Sequence, residues 1–248
     1  ARRKTNTMEQ MQILLAILVL LPFVSALLLA LCGSDRMRRL IVYGSAGVLM
    51  ISAVAFAVCF FSGENLQLRF LQSGGIIDHT MLALEAGFAV LITVLSIKYR
   101  RYYVAVLSIV QTVLTFVYEL GGYKPAVQPY NLFTDQLTVI MVLIIAVVGT
   151  LITVYAVGYM RDYHNHHKEY TDRRRFFFAM LYVFLGAMFG LVLSNSLLWL
   201  YFFWEITSLV SFLLIGYTRT KEAVQNSFRA LWMNLLGGLG FAAAIFWA

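Results

Sequence analysis

Eight long apolar runs constrain the fold more than any other feature of this sequence. A helix needs about 20 residues to cross the hydrocarbon core of a bilayer, and the runs reach or approach that length. Hydrophobic residues make up 61% of the chain and charged residues only 12%, about half the charged share of a soluble domain. We therefore predict an all-α integral membrane protein with about eight transmembrane helices. The runs lie at 12–32, 40–61, 80–97, 103–120, 137–159, 176–194, 196–217 and 229–248.

The basic residues are distributed unevenly between the two sides that alternating loops would define. Of the 19 Lys and Arg residues, 14 fall on one side, clustered in short loops between apolar runs. The positive-inside rule predicts that this side is cytoplasmic and that the N-terminus lies outside. Basic residues in such loops interact with lipid and set the topology, which accounts for the net charge of +7. We therefore predict no nucleic-acid partner. The other five are Arg2, Arg3, Lys4, Arg69 and Lys124.

Glu205 lies close to the middle of the seventh run, in "SLLWLYFFWEITSLVSFLLIGY". A carboxylate at membrane depth is costly, and such groups usually face a protein interior or a water-filled cavity. One interpretation is a structural carboxyl that holds helices together. The other is a proton or cation relay, because burial and neighbouring charges decide whether a carboxyl is protonated. We favour the relay, with Ser208 and Thr207 lining its water path.

Two further acidic residues are candidates for the same relay. Asp135 opens the fifth run, where a carboxylate at a helix N-terminus has a simple capping role. Its alternative role is a proton uptake or release point on the outer side. Glu85 lies about a turn and a half inside the third run. It is either a residue near the membrane interface or a second relay group. The sequence contains no pattern that predicts a metal site, a nucleotide loop or an iron–sulfur cluster.

Residues 131–247 resemble the antiporter-like membrane subunits of complex I, of energy-converting membrane hydrogenases and of Mrp-type Na⁺/H⁺ antiporters. The resemblance rests on motifs in the family's order: an F-x-D-x-L opening, a Y-x-x-GYM close, an RFF start, a WE motif followed by SFLLIG, and a Gly-Gly pair. These stand in "NLFTDQLTVIMVLIIAVVGTLITVYAVGYM", "DRRRFFFAMLYVFLGAMFGLVLSNSLLWLYFFWEITSLVSFLLIGY" and "KEAVQNSFRALWMNLLGGLGFAAAIF".

The resemblance implies that Glu205 is the central residue of a proton half-channel with a lysine partner on a later helix. No Lys lies inside the apolar runs, and Asn226 occupies a position that is often Lys in the family. The chain is therefore expected to be a fragment, a split subunit completed by another chain, or a degenerate paralogue. We divide it into a tail at 1–11, helices at 12–130 with a two-helix insertion at 80–120, and antiporter-like helices at 131–248.

The function implied is that of a non-redox membrane subunit that translocates protons or sodium, coupled to redox chemistry in partner subunits. Iron–sulfur, flavin or nickel–iron centres are expected only in those partners. This chain is expected to hold no cofactor. One alternative is a subunit of a Mrp-type cation/proton antiporter, and another is a non-conducting scaffold. The expected location is a bacterial or archaeal cytoplasmic membrane, among other membrane subunits.

Overall fold

The computed structural model describes residues 2–62, 69–72, 76–120 and 130–247. Seven of its helices are long and apolar enough to cross a membrane, and Tyr102–Tyr118 forms a shorter apolar helix. The prediction of an all-α membrane protein with about eight helices is confirmed. Helix α1 begins at Arg2, inside the predicted tail at 1–11. The helices are α1 Arg2–Leu31, α2 Asp35–Ser62, α3 Ile76–Lys98, α4 Tyr102–Leu120, α5 Gln136–Ile144, α6 Thr150–His166, α7 Arg174–Leu193, α8 Leu197–Ile215 and α9 Lys221–Trp247.

The chain forms two compact units, and neither is continuous in sequence. The first comprises residues 1–70 and 133–193, with helices α1, α2 and α5–α7. The second comprises residues 71–132 and 194–248, with helices α3, α4, α8 and α9. The predicted insertion at 80–120 therefore belongs to the same unit as α8, which carries Glu205. The division at 12–130 and 131–248 rests on the family resemblance and stays a prediction.

In the first unit, α1 packs along α7 and α2, and α2 also contacts α5 and α6. A π-helical segment, Ile145–Gly149, joins α5 to α6 without a break, so that Gln136–His166 is one apolar span. Gly149 lies against Leu185, since an added Cβ would come within 2.5 Å of the Leu185 Cδ1. The hydroxyl of Tyr182 is 2.6 Å from the Ser45 Oγ, which ties α7 to α2 by a buried polar contact.

In the second unit, α3 and α4 form a hairpin whose turn is closed by backbone hydrogen bonds. The Arg101 N–H donates to the Ser96 carbonyl over 2.7 Å and the Arg100 N–H to the Ile97 carbonyl over 3.0 Å. Arg100 has a φ of 56°, the left-handed conformation that commonly ends a helix. The hairpin packs through α4 against α9 and through α3 against α8.

Two short strands, β1 Arg69–Gln72 and β2 Tyr130–Phe133, pair as a two-stranded sheet. Leu132 also forms an antiparallel bridge with Ser194, and the Asn195 N–H donates to the Asn131 carbonyl over 2.8 Å. These bonds fix the start of α8. No strand pattern marks these segments in the sequence, because both are short and lie in polar connections.

Candidate functional site

Glu205 is half-buried in the second unit, and its carboxyl is held by two hydrogen-bond donors. The Gln111 Nε2 of α4 donates to the Glu205 Oε1 over 2.6 Å. The Tyr201 hydroxyl, one turn earlier on α8, donates to the same oxygen over 2.9 Å. A buried polar group needs such partners to offset the loss of water. Both donors meet one oxygen of the carboxyl.

Helix α4 presents a polar face toward this carboxyl, because polar residues recur on it at helical spacing. Ser108, Gln111 and Thr115 are each at most 3% exposed. The Thr115 hydroxyl donates to the Glu85 Oε1 over 2.6 Å, and Glu85 itself is 2% exposed. A buried carboxyl contributed by α3 therefore joins the polar face one turn away from the Gln111 amide.

Two apolar clusters enclose the polar residues within this unit. One packs around Tyr201, which is fully buried, with Tyr118, Ala242 and Ile245. The other contains members from all four helices: Ile92, Val104, Leu209, Phe212, Phe228, Leu231 and Leu235. Since residues four apart share a helix face, Tyr201, Glu205 and Leu209 form one row on α8. The carboxyl of Glu205 thus sits in a polar layer between two apolar layers.

A cavity of about 10 Å³ adjoins the carboxyl. That volume is about one probe sphere, the lower limit for a single water molecule. The Gln111 Oε1 is buried and has no hydrogen-bond partner among the described residues, so it offers an acceptor to such a molecule. The polar residues that line the cavity are Gln111, Glu205, Ser208 and Asn234.

Gly238 on α9 makes room for the Gln111 side chain. A Cβ at this position would lie 2.8 Å from the Gln111 Nε2 and 3.1 Å from its Oε1. The neighbouring Gly237 faces open space, since nothing lies within 4 Å of its Cβ position. Only the second glycine of the Gly-Gly pair therefore has a steric role at this site.

The five residues that the sequence predicts for the relay do not all lie together in the structure. Glu85, Glu205 and Ser208 lie in the second unit, and Ser208 lines the cavity beside Glu205. The Thr207 hydroxyl instead donates to the Trp204 carbonyl over 2.8 Å. Its expected place in a water path stays a prediction.

Asp135 belongs to the first unit, where it caps α5. Its Oδ1 accepts from the Thr138 N–H over 2.7 Å. This backbone hydrogen bond lowers the pKa of the Asp135 carboxyl from its ordinary value of 3.8. The geometry provides the capping role that the sequence offered as the simple explanation, and the proton uptake role stays a prediction.

Sequence reasoning missed Gln111, Thr115, Asn234 and Tyr201. The spacing of Ser108, Gln111 and Thr115 inside an apolar run was an available signal, because it predicts one polar helix face. Nothing in the sequence placed that face against α8, since the pairing of helices depends on the fold.

The helices and the enclosed carboxyls define a multi-pass membrane protein with a protonatable site inside its helix bundle. Parts of the chain match two models of the antiporter-like subunit family that complex I and Mrp antiporters share. Residues 128–177 match the family model described as NADH-Ubiquinone oxidoreductase (complex I), chain 5 N-terminus. Residues 194–248, which include Glu205, match the model described as NADH:quinone oxidoreductase/Mrp antiporter, TM. The resemblance read from the motifs is confirmed.

Two similar curated proteins are both Na(+)/H(+) antiporter subunit A1. The protein of Staphylococcus haemolyticus is 32% identical over 139 residues, which cover 56% of this chain and 16% of the relative. The protein of Staphylococcus aureus is 27% identical over 184 residues, which cover 67% of this chain and 22% of the relative. The chain thus spans about a fifth of the length of these relatives.

Proposed function

We propose that this chain is part of a proton-translocating subunit in a multisubunit membrane complex, and that Glu205 is the group that gains and loses the proton. The observation that supports this most directly is the environment of its carboxyl. One oxygen accepts from Gln111 and Tyr201, and a cavity about the size of one water molecule adjoins the same residue. A carboxyl held in this way is oriented and still has a second oxygen to carry a proton.

The cavity beside the carboxyl offers a place for one water molecule that could pass a proton to it. Ser208 and Asn234 line it beside Glu205, and both side chains donate and accept hydrogen bonds. A water molecule bound there would connect these groups, because a buried water typically makes about three hydrogen bonds. Glu205 would be the relay, and Ser208 and Asn234 would position the water that delivers the proton.

The energy for translocation has to come from partner subunits or from an ion gradient. Moving one charge against the membrane potential costs about 2.3 kcal/mol per 100 mV. We propose that other membrane subunits complete the path, including helices that supply lysines, since no Lys lies inside the apolar runs of this chain. We also propose that the side carrying 14 of the 19 basic residues is cytoplasmic and that the N-terminus lies outside.

Two branches of the family offer different sources of energy. The relatives named as Na(+)/H(+) antiporter subunits favour an antiporter driven by an ion gradient. The model described by complex I chain 5 favours the redox-coupled alternative, in which iron–sulfur, flavin or nickel–iron centres are held by partner subunits. Purification of the intact complex separates the two, because copurifying iron–sulfur proteins identify the redox-coupled branch and their absence identifies the antiporter.

The Glu205→Gln variant tests the central proposal in the assembled complex. The amide keeps the shape of the side chain but carries no exchangeable proton of suitable acidity, so proton translocation in proteoliposomes should fall by about 100-fold or more. Glu222→Gln makes the same chemical change at the exposed first turn of α9 and should leave the rate unchanged. Wild-type translocation by an assembled Glu205→Gln complex would instead identify a scaffold that does not conduct.

A further inference from the structure

Two buried side-chain atoms of the α3–α4 hairpin have no hydrogen-bond partner among the residues that the structure describes. They are the Ser96 Oγ and the Gln111 Oε1. Ser96 is fully buried, and Gln111 is 2% exposed. A buried polar atom without a partner costs free energy, because folding removes its hydrogen bonds to water. Each of these two atoms is therefore a position at which a water molecule would be stabilised.

The two atoms lie at different depths in the second unit. Ser96 is near the end of α3, where its carbonyl accepts from the Arg101 N–H over 2.7 Å, and Lys98 and Arg100 in the turn beyond it are exposed. Gln111 lies nine residues after the start of α4, where its amide donates to Glu205. Nine residues of helix rise about 14 Å. One unpartnered atom thus lies just below the polar turn, and the other lies beside the carboxyl.

The cavity beside Glu205 reaches the wall of α3 one turn away from Ser96. Its lining includes Ile92 of α3 and Leu231 of α9. Ile92 and Ser96 are four residues apart and therefore share a face of α3. The rise between them is about 6 Å, which about two hydrogen bonds between oxygen atoms cover.

A thin apolar layer lies between Ser96 and the cavity. Ile92, Val104 and Leu231 belong to one buried cluster in this layer. Ser108 is 3% exposed and lies between Val104 and Gln111 on one face of α4, because the three positions follow helical spacing. Its hydroxyl can donate and accept hydrogen bonds, so the layer contains a polar group that a passing water molecule can contact.

We propose that Ser96, Ser108 and Gln111 line an access path for water, by which protons reach Glu205 from the α3–α4 turn. This inference rests on the proposed function and adds the entry route to it. A water molecule at Ser96 takes up a proton from solvent at the turn, and hydrogen-bonded water passes a proton on to the cavity. The last water gives its extra proton to the Glu205 carboxylate, which becomes a neutral carboxylic acid, and the water is left neutral.

Ser96→Ala tests the path in the assembled complex, because stability and function should respond differently. Removal of a buried hydroxyl without a partner should not lower the thermal stability. Proton translocation in proteoliposomes should nevertheless fall about tenfold or more, since the water at that position loses its contact.

Ser227→Ala is the matched control for that variant. Ser227 is a 2% exposed serine of the same unit, and its hydroxyl donates to the Val224 carbonyl on its own helix over 2.9 Å. The control should have equal or lower thermal stability and should translocate protons at the wild-type rate.

A second variant, Ser96→Cys, tests the access of water without measuring transport. Cys32 and Cys59 are changed to Ala in the full chain, which is studied in lipid nanodiscs. The infrared S–H band of the remaining thiol moves when D₂O exchanges its proton, and Ser96→Cys should exchange rapidly although the position is buried. Ser52→Cys makes the same change at a 5% exposed position of α2, away from the path, and should exchange at least about tenfold more slowly.

Failure of this inference is distinguishable from failure of the proposed function. Exchange at Ser96→Cys as slow as at Ser52→Cys refutes the path, and so does wild-type translocation by Ser96→Ala. If Glu205→Gln abolishes translocation in the same preparations, the role of Glu205 stands. Wild-type translocation by Glu205→Gln refutes the proposed function, even where the thiol exchanges rapidly. Rapid exchange together with reduced translocation by Ser96→Ala supports the path.

Discussion

Gly238 of α9 lies directly against the side-chain amide of Gln111 on α4. An added Cβ would approach the Gln111 Nε2 to 2.8 Å, closer than real Cβ contacts allow, and the same nitrogen donates to Glu205. The absence of a side chain at Gly238 is therefore linked to the position of the Glu205 carboxyl on a third helix.

Gly238→Ala should displace the Gln111 amide and weaken its hydrogen bond to Glu205. A hydrogen bond to a charged group contributes about 1.5–3 kcal/mol, so we expect translocation by the assembled complex to fall about 10-fold to 100-fold. The measurement is proton uptake into proteoliposomes, normalised to the amount of assembled complex.

Gly237→Ala is the matched control for that change. Nothing lies within 4 Å of a Cβ at this position, and Ala is more favourable than Gly inside a helix by about 1 kcal/mol. We expect normal translocation and equal or slightly higher thermal stability. Equal losses in both alanine variants would show that the contact with Gln111 is irrelevant.

Tyr182→Phe should destabilise the first unit without affecting the carboxyl site. Tyr182 is fully buried. Its hydroxyl lies 2.6 Å from the Ser45 Oγ and donates to the Val42 carbonyl over 3.1 Å. Loss of a buried hydrogen bond costs about 1–2 kcal/mol, which thermal unfolding in detergent would detect.

The control for that variant is Tyr155→Phe, because Tyr155 is 72% exposed. A double-mutant cycle with Ser45→Ala should give a coupling energy of about 1 kcal/mol between the two hydroxyls. A coupling near zero would mean that the hydroxyls contribute independently.

Asp135 provides a test of capping against proton transfer. Asn is as good an N-cap residue as Asp, whereas Ala costs about 1 kcal/mol. If Asp135 only caps α5, Asp135→Asn should preserve stability and translocation at neutral pH, and Asp135→Ala should lose stability alone. Loss of translocation in the Asn variant, with stability intact, would assign the carboxylate to the proton path.

The ion pair of Asp172 should make the stability of the protein depend on pH in the acid range. The Arg174 guanidinium donates to its carboxylate over 2.6 Å and lowers its pKa from 3.8 to about 2. Because the folded-state pKa is depressed, the stabilisation is complete above the unfolded pKa and is lost as pH falls from about 4 to about 2. The Asp172 side chain is 48% exposed, so solvent screening limits the contribution to about 1 kcal/mol or less.

Thermal unfolding of Asp172→Asn across this range gives the check. The variant should be slightly less stable than the wild type near pH 6, and the two should converge toward pH 2. Asp162→Asn is the control, since that carboxylate is 64% exposed and lies 3.5 Å from the Arg161 Nε. A difference that stays constant with pH would contradict a role for the ionised Asp172.

The sequence located the spans well and the contacts between them poorly. All eight predicted runs coincide with helices or with the continuous span Gln136–His166, because hydropathy is a local property that sums along a segment. The runs gave little indication of which face points inward. Several are apolar on every side, so they contain no amphipathic stripe that would orient them.

Glu205 could be singled out from the sequence because the cost of a charge at membrane depth depends on the segment that carries it. The partners of its carboxyl could not be identified from the sequence. Gln111 and Glu85 lie on the hairpin that the family resemblance marked as an insertion, and only the packing of α3 on α8 and of α4 on α9 brings that hairpin to the site.

The sequence by itself therefore determined the class of protein, the number of helices and the one residue whose charge most needs an explanation. The tertiary structure alone decided which groups surround that residue. The physical reason is that helix formation and hydropathy follow from neighbours along the chain, whereas hydrogen bonds such as those from Gln111 to Glu205 and from Thr115 to Glu85 join helices that only folding brings within 3 Å.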